Sequence, residues 1–224
     1  MPINRRALTL AAGLTLMAPL ALAQTAAPAA APAAAERDMR TAIVKLLPKS
    51  GAKPLTVTSP AFKDGADIPF ENTQFRGNVF PGLAWSKGPA GTKSYVLIMQ
   101  DPDAPTRATP VLHWTMVNIP ASVTKLEAGM KAPPAGAAYG PNQRGPAQAY
   151  MGPRPPAGPK HHYHFAIFAL DTTVADPGPS YDALTQAMAG HVLASGETIG
   201  LGSFDPTAPA PTPPAAPAAA PPAK

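Results

Sequence analysis

Two short stretches hold most of the side chains able to do chemistry. In the first, Asp101-Pro102-Asp103-Ala104-Pro105 is followed by His113-Trp114; in the second, Gly152-Pro153-Arg154-Pro155-Pro156-Ala157-Gly158 leads into His161-His162-Tyr163-His164. Two imidazoles and a phenol can donate hydrogen bonds, and loop amides can add more, which is the donor set of an anion site. Asp101 suits that task only if its carboxylate bonds a histidine and raises that histidine's pKa, so that the imidazolium does the binding. The expectation is anion binding that tightens as pH falls from about 8 to about 6. The same groups leave two other readings open. His113 or His161 could be a general base oriented by Asp101, as in a hydrolase of a small phosphorylated substrate. Ser59, Ser86, Ser94 and Ser122, however, sit in no Gly-x-Ser-x-Gly pattern. His162 and His164 share a strand face and could take zinc or copper in a His-rich metal site, but alternation turns His161 the other way. No catalytic residue, cofactor or metal ligand is assigned.

Positioning these residues requires strands. Tyr95-Val96-Leu97-Ile98-Met99 is apolar on both alternating faces and short for a helix, so it reads as a central strand. Pro102 and Pro105 stop its ladder, while Asp101 and Asp103 can bond nearby amides and close a rigid turn. His113 to Ile119 returns as a second strand, with His113 expected on one face with Thr115, Val117 and Ile119. His161 to Leu170 reads as a third strand, with His161, Tyr163, Phe165 and Ile167 on one side and His162, His164, Ala166 and Phe168 on the other. Leu55 to Thr58 and the start of Asp67 to Phe70 are expected to be short strands, and Arg76 to Trp85 a loop laid over the core. Ala121 to Gln148 reads as a long surface connection, a type often functional. From Ser180 to Ala194 the period changes to about 3.6, giving one amphipathic helix capped by Ser180. His191 lies on its apolar stripe, as a core or boundary histidine with a satisfied hydrogen bond.

The whole chain frames this unit. Its 224 residues are 45% hydrophobic, enough for one core, yet 32 prolines and 18 glycines limit regular structure. The absence of cysteine removes disulfides, thiolate nucleophiles and Cys-based metal sites. Arg5 and Arg6, an apolar run to Ala23 and the Ala21-Leu22-Ala23 ending form a secretory signal peptide over 1–23, cleaved before Gln24. The paired arginines leave Sec and twin-arginine export both open. Export places the protein in the periplasm or outside the cell, with no transmembrane segment after signal removal. Without Arg5 and Arg6 the chain has 16 basic against 13 acidic residues, too mild a balance for a nucleic-acid partner. Residues 24–36 and 205–224 are Ala/Pro-rich and read as disordered spacers around a folded domain at 37–204.

The motifs also carry a resemblance. Ser59-Pro60-Ala61-Phe62, Asp101-Pro102-Asp103-Ala104-Pro105, His113-Trp114 with Asn118-Ile119-Pro120, Gly152-Pro153-x-Pro155-Pro156-x-Gly158, His161-x-Tyr163-x-Phe165 and Gly190-His191-Val192-Leu193-Ala194 are together similar to the phosphatidylethanolamine-binding protein family, in its bacterial, Raf-kinase-inhibitor-like branch. The resemblance runs in order from about Leu55 to Leu201. It implies a mainly β, antiparallel, sandwich-like single domain with one or two short helices. It also implies a binding or inhibitory module whose pocket takes phosphate-like or phospholipid head-group anions, with a protease or kinase as a protein partner. The pocket residues it implies are Asp101, His113, Gly152, Pro156, His161 and Tyr163, with Asp103 and Arg154 as additions. His162 stands where the family often has arginine. Arg154 replaces a small residue, so it could add a bidentate phosphate contact or block the mouth.

Overall fold

The computed structural model describes residues 38–49, 51–104 and 107–208; the expected signal peptide, the expected N-terminal spacer and most of the expected C-terminal spacer lie outside them. In chain order the elements are α1 (Ala42–Lys45), β1 (Val57–Thr58), β2 (Leu83–Trp85), β3 (Ser94–Asp101), β4 (Val111–Pro120), β5 (Lys125–Leu126), β6 (Ala138–Tyr139), β7 (His161–Leu170), α2 (Tyr181–Met188) and β8 (Val192–Gly202). The strands form two antiparallel sheets, β1-β2-β5 and β6-β4-β3-β7-β8. The chain is mainly β, with few helices, in a single domain.

Every residue of β3 is buried because both of its faces are covered. Tyr95, Leu97 and Met99 meet Leu83, Trp85, Trp114, Phe165 and Ile167 in a core that includes residues of both sheets. Val96 and Ile98 face the other way, into a second core with Phe168, Leu170, Leu184 and Met188, closed by the helices. A strand coated on two sides must be apolar at successive positions, which is why the run shows no alternation.

β4 departs from the expected alternation at two points. Met99 pairs with Trp114 but Gln100 with Leu112, which leaves His113 as an extra residue; likewise Tyr95 pairs with Ile119 and Leu97 with Met116. The second irregularity holds Asn118 at φ 58, a left-handed conformation that asparagine tolerates better than most residues. Asn118 is fixed there because its Nδ2 donates to the Val174 carbonyl at 2.9 Å and its Oδ1 accepts the Val174 N–H at 2.8 Å. The shift overturns the single face expected for His113, Thr115, Val117 and Ile119: Val117 joins the helix-covered core and Ile119 the inter-sheet core.

Other expectations are corrected as well. Asp67 makes only an isolated bridge to Leu201, and Phe70–Asn72 is a 3-10 turn; Pro69 between them has no N–H for a ladder. The end of the expected 76–85 loop is β2. The helix ends at Met188 rather than Ala194; Ser180 does cap it, accepting the Ala183 N–H at 3.2 Å. Gly190 then takes φ 78, and β8 begins at Val192. That eleven-residue strand went unrecognised because glycine interrupts it. At Gly196 a Cβ would sit 1.9 Å from the Leu55 carbonyl oxygen, so the strand lacks a side chain where another backbone crosses it. His191 is exposed, bonded to Asp171 at 2.8 Å. Asp205, one residue beyond the domain end expected at Phe204, is buried and paired with Arg76 at 2.6 Å.

Candidate functional site

Asp101 is the last residue of β3, His161 the first of β7, and His113 lies near the start of β4. Because these strands are antiparallel neighbours, all three come to the same sheet edge. Asp101 is 3% exposed and both of its oxygens are engaged. Oδ2 lies 2.8 Å from His161 Nδ1, while Oδ1 accepts the Asp103 N–H at 2.8 Å. One carboxylate thus closes the turn and orients an imidazole. It bonds His161, and it reaches His113 only through its charge.

His113 is held from behind. Its Nδ1 lies 3.0 Å from the Met151 carbonyl oxygen, which can only accept, so Nδ1 carries the proton of the neutral ring and Nε2 is left with a lone pair. Burial lowers the His113 pKa, although the Met151 carbonyl and the Asp101 charge oppose the shift. The expected raising of a histidine pKa by Asp101 therefore does not prevail at His113, where loss of water outweighs the neighbouring charge. Tyr163, 1% exposed, sets its ring edge-on to His113 with centroids 5.1 Å apart and nearly parallel to that of His161 at 6.5 Å. Burial raises its phenol pKa, and the Asp101 charge raises it further, so the hydroxyl stays a donor.

These side chains open onto a cavity of about 550 Å³ lined by Asp101, His113, His161 and Tyr163, by Arg154, Pro155 and Pro156, and by Gln74, Ala104, Arg107, Val111, Gln143 and Arg144. Four expected pocket residues, with Pro156 and Arg154 in its wall, are thereby brought together. Gly152 is close behind rather than in the lining. Its N–H donates to Asn78 Oδ1 at 2.8 Å and its carbonyl accepts from Gln74 Nε2 at 2.6 Å. A Cβ there would lie 2.4 Å from the Asn72 carbonyl oxygen, so only glycine permits this approach. Asp103 turns outward and accepts both the backbone N–H of His162, at 2.7 Å, and its ring Nδ1, at 2.8 Å. Burial acts to raise the Asp103 pKa, but the His162 contacts win and hold it low.

Gln74, Arg107, Gln143 and Arg144 were missed, since polar residues in Gly/Pro-rich loops carry no periodic signal. Arg107 and Arg144, with Val111 and Gln143, also line an adjoining cavity of about 470 Å³. A larger depression of about 880 Å³, around Lys87 to Thr92 and Ala121 to Thr124, contains no histidine or acid.

None of Ser59, Ser86, Ser94 and Ser122 lines the histidine cavity. The three β7 histidines each meet a different acid: His161 meets Asp101, His162 meets Asp103, and His164 meets Glu197 at 3.0 Å. Among the described residues, no three His, Asp or Glu side chains gather as a metal site, and no helix is long and apolar enough to cross a membrane.

The class these observations define is a two-sheet antiparallel β domain with a His/Asp/Tyr cavity at one end of its larger sheet, and comparison identifies the family. The phosphatidylethanolamine-binding protein family model matches residues 58–203, and the chain belongs to that family. A UPF0098 protein of Methanothermobacter thermautotrophicus is 38% identical over 151 residues, 66% of this chain and 97% of its own. A putative lipoprotein, LppC, of Mycobacterium tuberculosis is 36% identical over 166 residues, covering 74% of this chain and 79% of the relative. Among solved structures, YbcL of Escherichia coli, described as a member of the mammalian family, superimposes with a TM-score of 0.61 at 33% identity, covering 68% of this chain and 100% of YbcL. A putative homolog from Chlamydia trachomatis gives 0.61 at 34% identity, covering 68% and 99%.

Proposed function

We propose that this protein is an exported binding module whose cavity takes a phosphate-bearing ligand through His113, His161, Tyr163 and Arg154, with Asp101 orienting His161. The observation that carries the reading is the convergence of two imidazoles, a phenol and guanidiniums on one cavity. Export rests on the signal-like sequence at 1–23 and accords with a relative named as a lipoprotein. A serine nucleophile finds no support, because none of Ser59, Ser86, Ser94 and Ser122 lines the cavity.

The histidines set the pH dependence. Neutral His113 offers the cavity a lone pair, so an anion needs a proton on Nε2 or on its own oxygen. A bound phosphate adds negative charge beside the ring and favours imidazolium. Binding therefore takes up a proton and tightens on acidification. Calorimetric titration with phosphoethanolamine should show tighter binding at about pH 6 than at about pH 8, and binding lost in His113→Ala and in His161→Ala. Affinity that is flat or weaker toward acid would sink the protonation scheme. Release of inorganic phosphate from phosphoethanolamine in the same samples would make the protein a hydrolase.

A further inference from the structure

We infer that Gln74, Arg144 and Arg154 form a clamp across the mouth of the cavity that selects phosphate monoesters over phosphodiesters. This rests on the anion-site reading above and specifies its ligand class. Gln74 makes four hydrogen bonds at once. Its Oε1 accepts from Arg144 Nη2 at 2.7 Å and its backbone carbonyl from Arg154 Nη1 at 2.8 Å. Its Nε2 donates to the Gly152 carbonyl at 2.6 Å, and its backbone N–H to the Pro153 carbonyl at 2.9 Å. One residue therefore fixes two guanidiniums that arrive from segments 70 and 80 positions away. Arg154 is further held with its guanidinium carbon 4.8 Å from the centroid of the Phe75 ring.

These arginines differ from Arg40 and Arg76, which pair with Asp38 and Asp205. Among the described residues, Arg144 and Arg154 have no acidic partner; Gln74 engages them through neutral oxygens and leaves their charge for a ligand. Each guanidinium has five N–H donors in a fixed fork suited to phosphate. A monoester phosphate has three terminal oxygens and carries about −1.5 to −2 charge near neutrality. A diester has two non-bridging oxygens and a single charge. Two unneutralised guanidiniums match the dianion, and the Tyr163 hydroxyl and the imidazoles occupy the remaining oxygen.

The test compares phosphoethanolamine, a monoester, with glycerophosphoethanolamine, a diester, by calorimetry near pH 7. Wild type should bind the monoester about tenfold more tightly or better. The double variant Arg144→Gln/Arg154→Gln should lose about tenfold for the monoester and about threefold or less for the diester. Gln74→Ala keeps both charges but frees them, and should narrow the preference by about threefold. Equal wild-type affinities would leave the anion pocket standing and overturn the clamp. Equal losses of both ligands in the double variant would also overturn it, because the arginines would then be supporting the loops and not choosing the ligand. Binding of neither ligand by wild type would remove the anion-site reading itself, and the clamp with it.

Discussion

His113 stands between two demands: the fold buries it uncharged, and the ligand asks it for a proton. Its depressed pKa makes the first demand measurable. Between the unfolded value near 6.5 and the lower folded value, the unfolded chain binds more protons, so stability rises with pH and falls on acidification. Unfolding of wild type should therefore become easier as pH drops from about 7 to about 5, and His113→Gln should lose less stability across the same window. Denaturant midpoints at each pH check this; identical losses in both proteins would show that His113 does not titrate on unfolding. The turn at Asp101 and the strands that carry His113, His161 and Tyr163 could be read from apolar runs, alternation and turn-forming prolines, whereas their grouping into one pocket came from the family resemblance. Gln74 was not legible, because its four bonds join residues far apart in the chain, and nothing around Gln74 sets it apart from a solvated loop residue.

At the scale of elements, β3 and β7 could be read directly from apolar runs and alternation, whereas the irregularities of β4 could not. A bulge leaves no trace in a pattern that is apolar on both faces. Asn118 offers a test of how firmly the second irregularity is held. Asn118→Ala removes both bonds to Val174 and places Ala at φ 58; it should cost about 2–3 kcal/mol. Asn118→Gly relieves the backbone strain and should cost less. Thermal unfolding of the two variants separates the contributions, and equal costs would mean that the hydrogen bonds, not the backbone angle, dominate. The glycine-rich β8 shows a further limit: Gly196, Gly200 and Gly202 stand where neighbours press against the strand, and this pressure is a property of the fold that local propensity does not encode.

At the scale of the molecule, two cores on opposite faces of one sheet make the site edge rigid. Trp114, 1% exposed, links the site to the inter-sheet core; its ring meets those of Phe80 at 4.8 Å, Tyr150 at 5.5 Å and Tyr139 at 6.2 Å. Trp114→Ala should cost about 3–5 kcal/mol, read as a shift in denaturant midpoint; a loss below about 1 kcal/mol would mean that the neighbours close the cavity. The mainly β class and the single domain were recoverable from the spacing of apolar segments and from the family resemblance. The second sheet was less visible, since β1, β2 and β5 are two or three residues long. The extra residue at position 113 has a consequence for how such a protein changes under selection. Deleting it would restore an even ladder between β3 and β4, but it would also strand the Met151 carbonyl that His113 Nδ1 now meets and remove the carbonyl that accepts from Asn142 Nδ2. A shortened strand would therefore survive only if the 140–145 and 150–152 loops found new partners together, so the length of β4 at this point is tied to the sequence of two distant loops.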